Sequence, residues 1–306
     1  MRTQEIELSP AAWRILACPA CRGALERVEP GARCAGCGAE YRREPGGALS
    51  LHPLTPMRVP LDVEVGAPPL GDADLATVTR RPRAPAGPPV DPPRELTVGN
   101  RLTARLTEHL PRGSQGFLLD LGCGDRSFAP FLESVTGLDY VGMDFADERA
   151  DLLGDAHALP FADGSAALVT SFAVFEHVAQ PWLMAREVRR VLRPGGVFVG
   201  TLAFLEPYHM SSHAHLSPLG TLSALRQAGL DVELLEPSRE WTGLRAIVAM
   251  TSLPARLWRL AAALAAPLEA LQRAAAWARR RRGRRGDGLD DWRAAGGFRF
   301  VAVRPV

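Results

Sequence analysis

Two aspartates and two glycines lie at a spacing suited to holding a nucleotide-like ligand. Asp120 follows the apolar run 117–119, and Gly122 and Gly124 come directly after it. Glycines let the backbone turn sharply and approach a ligand where a side chain would collide. Asp144 ends a second apolar run, and a carboxylate about 20 residues after such a turn can accept both hydroxyls of a ribose. The pattern predicts a nucleotide-like pocket beyond the carboxyl ends of buried parallel strands.

The third glycine that dinucleotide-binding proteins place in this turn is missing. Arg126 and Ser127 occupy its place, which disfavours a nicotinamide-dependent enzyme. Asp155 follows another short segment and offers a third carboxylate, for which an ordinary loop carboxylate is the plain alternative. Strand-like runs follow near 167–172 and 197–202. Strands that alternate with helices predict an α/β fold.

Four motifs between residues 117 and 202 resemble one protein family. LDLGCG, VGMD, GDAHALPFADGSAALVTSFAVFEHV and EVRRVLRPGGVF, in this order, are similar to the class I S-adenosylmethionine-dependent methyltransferases of the methyltransferase-11 type. The resemblance implies a Rossmann-like, seven-stranded, mainly parallel sheet, S-adenosylmethionine as cofactor and methyl transfer as the reaction. Arg126 departs from the family, which often has a third glycine at this point.

The resemblance also implies which residues hold the cofactor. Asp120 with residues 122–124 would hold the methionine part, Asp144 the ribose, and Asp155 with Ala156 the adenine edge. The implied cofactor-binding residues are Asp120, Leu121, Gly122, Cys123, Gly124, Asp144, Phe145, Asp155, Ala156 and Phe172. Phe172 would lie against one face of the adenine, or belong to the core. Cys123 is predicted to be a small buried side chain rather than a nucleophile.

Four of the five cysteines form two close pairs. Cys18 and Cys21, then Cys34 and Cys37, have the spacing CxxC, twelve residues, CxxC, which is typical of a structural zinc ribbon. Free or redox-active thiols are the alternative, but they do not explain a duplicated pair. Four cysteines leave no open ligand position, so a structural Zn²⁺ is expected. The segment resembles zinc-ribbon proteins that activate methyltransferases, and the N-terminal ribbon of a bacterial ribosomal-RNA guanine methyltransferase.

Histidines mark the segments where the acceptor would bind. His177 follows Glu176 after a predicted strand, and three histidines, of which His209 and His213 are four residues apart, lie in the loop after the next strand. Imidazole titrates near neutral pH and can remove a proton from an acceptor. We predict His177, His209 and His213 as catalytic residues. A metal site at His209 and His213, or histidines that merely line the loop, are the alternatives.

Composition and charge restrict the partners and the compartment. The 306 residues are 46% hydrophobic and carry a formal net charge of +2, so any contact with nucleic acid or membrane requires a local patch. No signal peptide or membrane-spanning stretch is recognisable. The expected location is cytoplasmic. Leucines at helical spacing followed by arginines over 253–285 add an expectation of peripheral membrane contact, although covering the protein's own core is the commoner role of such a helix.

Three regions are predicted along the chain. Residues 1–52 form a small zinc-ribbon domain that begins with a helix capped by Ser9, residues 53–93 form a proline-rich linker, and residues 94–306 form the methyltransferase domain. Within the last region, 94–110 reads as a helix that precedes the first strand, and 253–285 reads as a helical insertion. The final strand of the sheet is expected at the C-terminal end.

The expected function is methyl transfer to a small molecule or a saccharide, of the cell-envelope or secondary-metabolite type. Because the sulfonium centre already activates the methyl group, the protein mainly has to align donor and acceptor. One alternative is a methyltransferase of ribosomal or transfer RNA that recognises RNA through its zinc ribbon. Another alternative, from a different class, is a non-catalytic binding or scaffold protein.

Overall fold

The computed structural model describes residues 8–60, 69–80, 84–97, 101–206, 209–250 and 292–306, together with positions 257, 263, 266–271, 274, 275, 277 and 278. Its helices are α1 Pro10–Ile15, α2 Asp72–Arg80, α3 Ala104–Thr107, α4 Ala129–Thr136, α5 Pro181–Val191, α6 Pro218–Gln227 and α7 Gly243–Met250. Its strands are β1 Leu25–Val28, β2 Gly31–Cys34, β3 Glu40–Arg42, β4 Leu49–Ser50, β5 Phe117–Leu121, β6 Asp139–Asp144, β7 Leu152–Leu153, β8 Ala166–Phe172, β9 Leu192–Ala203, β10 Asp231–Pro237 and β11 Gly297–Val303.

The main sheet is mostly parallel and confirms the predicted fold class. Its strand order is β10-β11-β9-β8-β5-β6-β7-β4, with β11 antiparallel to both of its neighbours. Seven of these strands make up the predicted sheet, and the two-residue β4, from the N-terminal region, adds an eighth. From β5 the chain continues to β6 on one side and later to β8 on the other. The carboxyl end of β5 is therefore a topological switch point, where open α/β sheets bind ligands.

Both faces of the sheet are covered, which explains the continuous apolar runs in the sequence. Alternate residues of β5 belong to different cores: Leu118 packs with the leucines of 102–110 and with α4, whereas Leu119 and Leu121 pack in the core that contains α5 and α6. All seven residues of β8 are buried. The predicted final strand is confirmed as β11.

The N-terminal region is continuous with the main sheet. β1, β2 and β3 form a small antiparallel sheet, and β4 then pairs in parallel with β7. The backbone N–H of Ala17 donates to the carbonyl oxygen of Pro160 at 2.9 Å, and that of Leu51 donates to Leu153 at 2.7 Å. Ser9 caps α1 as predicted, because its Oγ accepts the N–H of Ala12 at 3.1 Å. The small sheet therefore shares its packing with the edge of the main sheet.

Two predicted segments differ from the structure in detail. The helix expected over 94–110 is reduced to a short 3-10 turn, Arg94–Thr97, and the single turn α3. Thr103 has an extended backbone, with φ of −131° and ψ of 159°, which ends any helix before α3. Leu102, Leu106 and Leu110, which recur at helical spacing, are nevertheless fully buried. The apolar pattern therefore indicates core positions. The proline-rich segment 53–93 contains the nine-residue helix α2.

The leucine-rich region 253–285 lies mostly outside the described residues. Positions 266–271 are helical, and Glu269 is buried there, with its carboxylate 3.0 Å from Arg245. The predicted membrane contact rests mostly on residues that the structure does not describe, and it stays a prediction. Within the ranges given above, no helix combines the length and apolar character needed to cross a bilayer.

Candidate active site

The glycine turn after β5 has a backbone that requires glycine. Gly122 has φ of +71° and Gly124 has φ of +54°, in the left-handed region that costs other residues energy. A Cβ added at Gly122 would lie 2.4 Å from Cγ2 of Val174, whereas one at Gly124 would meet only Asp147 Oδ2, at 4.0 Å. The turn is thus packed tightly beneath Gly122 and open beside Gly124, where a ligand can approach.

Replacing Gly122 with alanine should therefore destabilise the protein more than replacing Gly124. Both substitutions carry a backbone penalty of about 1–2 kcal/mol, but only Gly122→Ala adds a steric conflict, worth about 1–3 kcal/mol. The double variant Gly122→Ala/Val174→Ala should recover part of that second cost. Denaturant unfolding of all three variants measures the difference. Equal destabilisation by the two single variants would show that the contact with Val174 is not limiting.

Asp120 connects three strands at the base of this turn. Its Oδ1 accepts the hydroxyl of Thr170 on β8, and its Oδ2 accepts the hydroxyl of Tyr140 on β6, both at 2.7 Å. Burial raises the pKa of Asp120 to about 6, although the two hydroxyl groups act in the opposite direction. The carboxylate therefore fixes the ends of the strands around the turn. Its predicted direct contact with the methionine part stays a prediction.

Asp144 lies at the carboxyl end of β6, next to the turn. Its Oδ2 accepts the N–H of Gly124 at 3.0 Å, and its Oδ1 accepts the N–H groups of Ala146 and Asp147 at 2.9 and 3.0 Å. The side chain is partly exposed. The structure thus has Asp144, the predicted acceptor of the ribose hydroxyls, next to the glycine turn. Three backbone N–H groups set the orientation of its carboxylate.

Arg126 explains how the turn forms without the third glycine. Its φ is +64°, so an arginine occupies the left-handed conformation that glycine would adopt. Its Nε lies 3.1 Å from Oδ2 of Asp151, whose side chain is almost fully buried. The guanidinium also lies over the ring of Tyr140, 5.7 Å from the ring centroid. These contacts direct the side chain towards the protein and offset the cost of the backbone conformation.

The predicted adenine side of the pocket is a cavity of about 460 Å³. Its lining residues come from two parts of the chain: His52, Pro53, Leu54, Thr55, Pro56, Met57 and Val59 from the N-terminal region, and Phe145, Asp155, His157, Ala158, Gln180 and Leu183 from the main sheet and its loops. The ring of Phe145 is 67% exposed and makes an edge contact with His52, at 5.0 Å between centroids. Sequence reasoning missed the contribution of residues 52–59, for which no local signal exists.

Asp155 is held in this cavity by a histidine that the sequence analysis did not single out. The N–H of Gln180 donates to His157 Nε2 at 3.0 Å, so the imidazole carries its proton on Nδ1, 2.5 Å from Asp155 Oδ1. Burial acts to raise the pKa of Asp155, but the hydrogen bonds from His157 outweigh it and lower the pKa. Asp155 is therefore an ionised acceptor at the position predicted for the adenine edge.

The other implied cofactor residues lie within the packed protein. Leu121 and Cys123 are buried, and burial raises the pKa of the Cys123 thiol, as suits a small core side chain. Ala156 is partly buried beside the core. Phe172 is 6% exposed, packs on Phe128 at 5.1 Å between ring centroids, and is not among the residues that line the adenine-side cavity. That position suits the core alternative for Phe172.

Two of the three predicted catalytic histidines meet after β8. The ring centroids of His177 and His209 lie 5.3 Å apart, and those of His209 and His215 lie 5.8 Å apart. Burial, followed by the charge of His209, lowers the pKa of both His177 and His215. His213 is exposed, and its backbone N–H donates to the carbonyl oxygen of Glu176 at 2.5 Å. These four histidines thus separate into three that are partly buried and one that is exposed.

Two glutamates complete this group and were not predicted as site residues. Glu176 is 2% exposed, and burial, together with the charge of Glu206, raises its pKa to about 7. Glu206 accepts the indole N–H of Trp241 at 2.6 Å and lies 3.7 Å from His209 Nε2. The adjacent pair Glu176–His177 and the glutamate three residues before His209 were visible in the sequence, but their approach required the fold.

An apolar cavity of about 650 Å³ begins at Glu206. Its walls are formed by the end of β9, the start of α7 and the described helical positions near 268. The lining residues are Phe204, Leu205, Glu206, Thr242, Gly243, Leu244, Ile247, Leu268, Glu269 and Ala294. A cavity of this size accommodates a small organic molecule.

The four ribbon cysteines converge on one point. Cys18 and Cys37 lie 3.7 Å apart, and Cys21 and Cys34 lie 3.4 Å apart, between sulfur atoms. Four thiolates at about 2.3 Å from a tetrahedral zinc would be about 3.8 Å from one another, so the donor set and its spacing fit this ion. The hydroxyl of Tyr41, 3.1 Å from Cys18, packs beneath the cluster.

Comparison with known proteins finds similarity to methyltransferases. A family model described as a methyltransferase domain matches residues 119–200, which include the glycine turn, Asp144, Asp155 and the pair Glu176–His177. A protein of Mycolicibacterium vanbaalenii, named only as an uncharacterized methyltransferase, is 40% identical over 95 residues, covering 27% of this chain and 37% of that protein. A Mycobacterium avium protein of the same description is 34% identical over 116 residues, covering 32% and 46%. The chain thus spans less than half the length of these curated relatives.

Among solved structures, a complex between the Haloferax volcanii Trm112 methyltransferase activator and a protein described as a methyltransferase is similar to this chain. The TM-score is 0.45 at 23% identity, covering 66% of this chain and 87% of that one. A phosphoethanolamine N-methyltransferase of Haemonchus contortus, solved with S-adenosyl-L-methionine, has a TM-score of 0.43 at 17% identity, covering 64% of this chain and 50% of that one.

Proposed function

We propose that this chain, whose residues 119–200 form a methyltransferase domain, transfers the methyl group of S-adenosylmethionine to a small-molecule or saccharide acceptor. The observation that carries the proposal is the tight glycine turn beside Asp144, at the point where the strand order reverses. Glycines that leave space for a ligand and a carboxylate that can accept ribose hydroxyls are the parts a nucleoside cofactor needs.

The residues present fit the cofactor in three places. The open side of Gly124 leaves room for the methionine part, Asp144 would accept the ribose hydroxyls, and Asp155 would accept the adenine amino group. Phe145 and the segment 52–59 would cover the adenine side from solvent. When bound, S-adenosylmethionine supplies an electrophilic methyl group on a sulfonium centre. The chain's own task is then to hold the acceptor in line with that group and to exclude water.

The partly buried histidines supply the proposed base. Because burial lowers the pKa of His177, its imidazole is neutral at neutral pH and can accept a proton from an acceptor hydroxyl or amine. His209 lies against it at 5.3 Å between ring centroids. His213, exposed at the same loop, would act only on an acceptor that extends outside the buried group.

A small or saccharide acceptor is supported by the shape of the neighbouring surface. The apolar cavity of about 650 Å³ adjoins Glu206 and hence the histidine group, and cavities of this kind bind small molecules. RNA recognition instead needs basic and aromatic side chains on an accessible surface. The arginines of 279–285 belong to residues that the structure does not describe, and the ribbon is packed against the main sheet at Ala17 and Leu51.

A transfer assay tests the proposal. The full chain would be incubated with S-adenosylmethionine labelled on the methyl group and with separate pools of hydroxylated small molecules, saccharides, and mixed transfer and ribosomal RNA. We expect label in a small-molecule or saccharide pool, and none with Asp144→Ala. Label only in the RNA pool would contradict the proposed acceptor, and absence of both transfer and cofactor binding would favour a scaffold protein.

A further inference from the structure

We propose that Glu176, His177 and His209 bind a divalent transition-metal ion next to the cofactor pocket. Each of the three offers one ligand atom, and these atoms all lie within 4.8 Å of one another. Glu176 and His177 lie in a 3-10 turn, Phe175–His177, directly after β8, and His209 comes from the loop after β9. A single ion would therefore join the two loops that surround the acceptor side of the sheet.

The burial of Glu176 is the first argument for an ion. The residue is 2% exposed, and its Oε2 has no hydrogen-bond partner in the part of the chain that the structure describes. The carboxyl group accepts backbone hydrogen bonds from Glu176 and Ala203, which leaves Oε2 as a buried polar atom without a partner, and such an atom is costly unless it is hydrogen-bonded or bound to a metal. His177 Nδ1 is likewise buried without a hydrogen bond among the described residues. Two possible metal-ligand atoms, Glu176 Oε2 and His177 Nδ1, therefore have no hydrogen bond to the described residues.

The second argument is the charge around these atoms. A second glutamate, Glu206, belongs to the same group, with its Oε2 3.7 Å from Nε2 of His209. Over the described ranges, neither glutamate forms an ion pair with an arginine, and the only ion-pair partner of Glu206 is His209. Two carboxyl groups among three imidazoles therefore form a set of oxygen and nitrogen donors that suits a divalent cation.

Glu206 would hold one of the ligands in place. Its Oε2 lies 3.7 Å from Nε2 of His209, and its Oε1 accepts the indole N–H of Trp241 at 2.6 Å. A carboxylate that contacts a metal-binding histidine, and is itself fixed by a hydrogen bond, orients the imidazole. Glu206 is therefore a positioning residue. The proposed site thus has three ligands, and one of them, His209, is held in place by Glu206.

The donor set indicates the kind of ion. Two imidazoles and one carboxylate suit Mn²⁺, Fe²⁺, Co²⁺ or Zn²⁺ and leave open coordination positions, unlike the four thiolates of the ribbon. If the proposed methyl transfer holds, an ion bound by His177 would replace that histidine as the group that activates the acceptor: a hydroxyl at an open position would have its pKa lowered by the ion and would release its proton to solvent. This consequence rests on the proposed function, whereas the binding of the ion does not.

Titration with Co²⁺ tests the site on the full, zinc-loaded chain. Calorimetry should show one additional Co²⁺ per chain, and the near-ultraviolet spectrum should lack thiolate-to-metal charge transfer, which would mark exchange at the cysteines. Glu176→Gln and His209→Ala should each weaken binding by at least about tenfold. His213→Ala, in the same loop but exposed, should leave binding within about twofold, by the small effect expected of a residue outside the ligand set.

The outcomes separate the two proposals. Calorimetry with S-adenosylmethionine on the same samples reports the cofactor pocket and shows that each variant is folded. Co²⁺ binding without cofactor binding would support the metal site while contradicting the proposed function. No additional Co²⁺ in a protein that binds S-adenosylmethionine, or equal binding by the wild type and Glu176→Gln, would overturn the metal site and leave the function untouched.

Discussion

Replacing Asp144 with alanine should abolish measurable binding of S-adenosylmethionine while the protein stays folded. The carboxylate is the proposed acceptor for two ribose hydroxyls, and each hydrogen bond to a charged group is worth about 1.5–3 kcal/mol. Losing both weakens binding by at least about 100-fold, since 1.4 kcal/mol corresponds to a factor of ten. The substitution also releases the N–H of Gly124, which the carboxylate accepts at 3.0 Å, so the turn loses part of its fixed shape.

Calorimetric titration with S-adenosylmethionine and with its demethylated product measures this effect. Asp139→Ala is the matched control, because Asp139 is an exposed aspartate at the other end of the same strand. It should bind the cofactor as the wild type does. Thermal unfolding of both variants separates loss of the pocket from loss of the fold. Cofactor binding that survives Asp144→Ala unchanged would contradict the assignment of the ribose site.

Replacing Cys34 with serine should remove the bound zinc and destabilise the whole chain, not only the ribbon. Structural zinc contributes about 10 kcal/mol or more to the folding of small zinc domains. Leu16 and Leu49 belong to the same hydrophobic core as residues of β5 and α5, and β4 pairs with β7 of the main sheet. Loss of the ribbon would therefore expose the edge of the sheet and part of this core.

Metal analysis and thermal unfolding check this prediction. The wild type should contain about one zinc per chain, by the four-ligand rule, and Cys34→Ser should contain none and unfold at a lower temperature. Arg33→Ala is the matched control: Arg33 precedes Cys34 on β2, and its ion pair with Glu40 is half exposed on both sides, which limits its value to about 0–1 kcal/mol. A metal-free wild type, or a Cys34→Ser variant as stable as Arg33→Ala, would exclude a structural zinc.

Local sequence patterns predicted several strands of the sheet and the glycine turn of the candidate site. Strands β5, β6 and β8, the final strand β11 and the glycine turn were all readable, because each depends on a few consecutive residues. Leu102, Leu106 and Leu110 recur at helical spacing in the sequence, and all three are fully buried. The helix expected around them is a single turn, since an apolar period reports burial without excluding an irregular backbone.

Other features depend on residues that are far apart in the chain. Arg126 takes the place of a glycine because Asp151 and Tyr140 hold its side chain, and no short motif contains all three. His52 reaches Phe145 across 93 positions, through a hydrogen bond of 3.0 Å from its imidazole to the backbone carbonyl oxygen. The N-terminal region thus forms one wall of the predicted adenine side, although its sequence carries only the zinc pattern and the prolines.

The sequence by itself determined the fold class, the glycine turn, the acids at strand ends and the cysteine spacing. These features are set by covalent distance, since residues within one turn or one strand have little freedom in how they meet. Only the tertiary structure decided which histidines meet, that Glu176 is buried beside them, and that the ribbon shares the core of the main sheet. Such contacts arise when packing brings together loops separated by tens of residues, and their geometry depends on every element that lies between them.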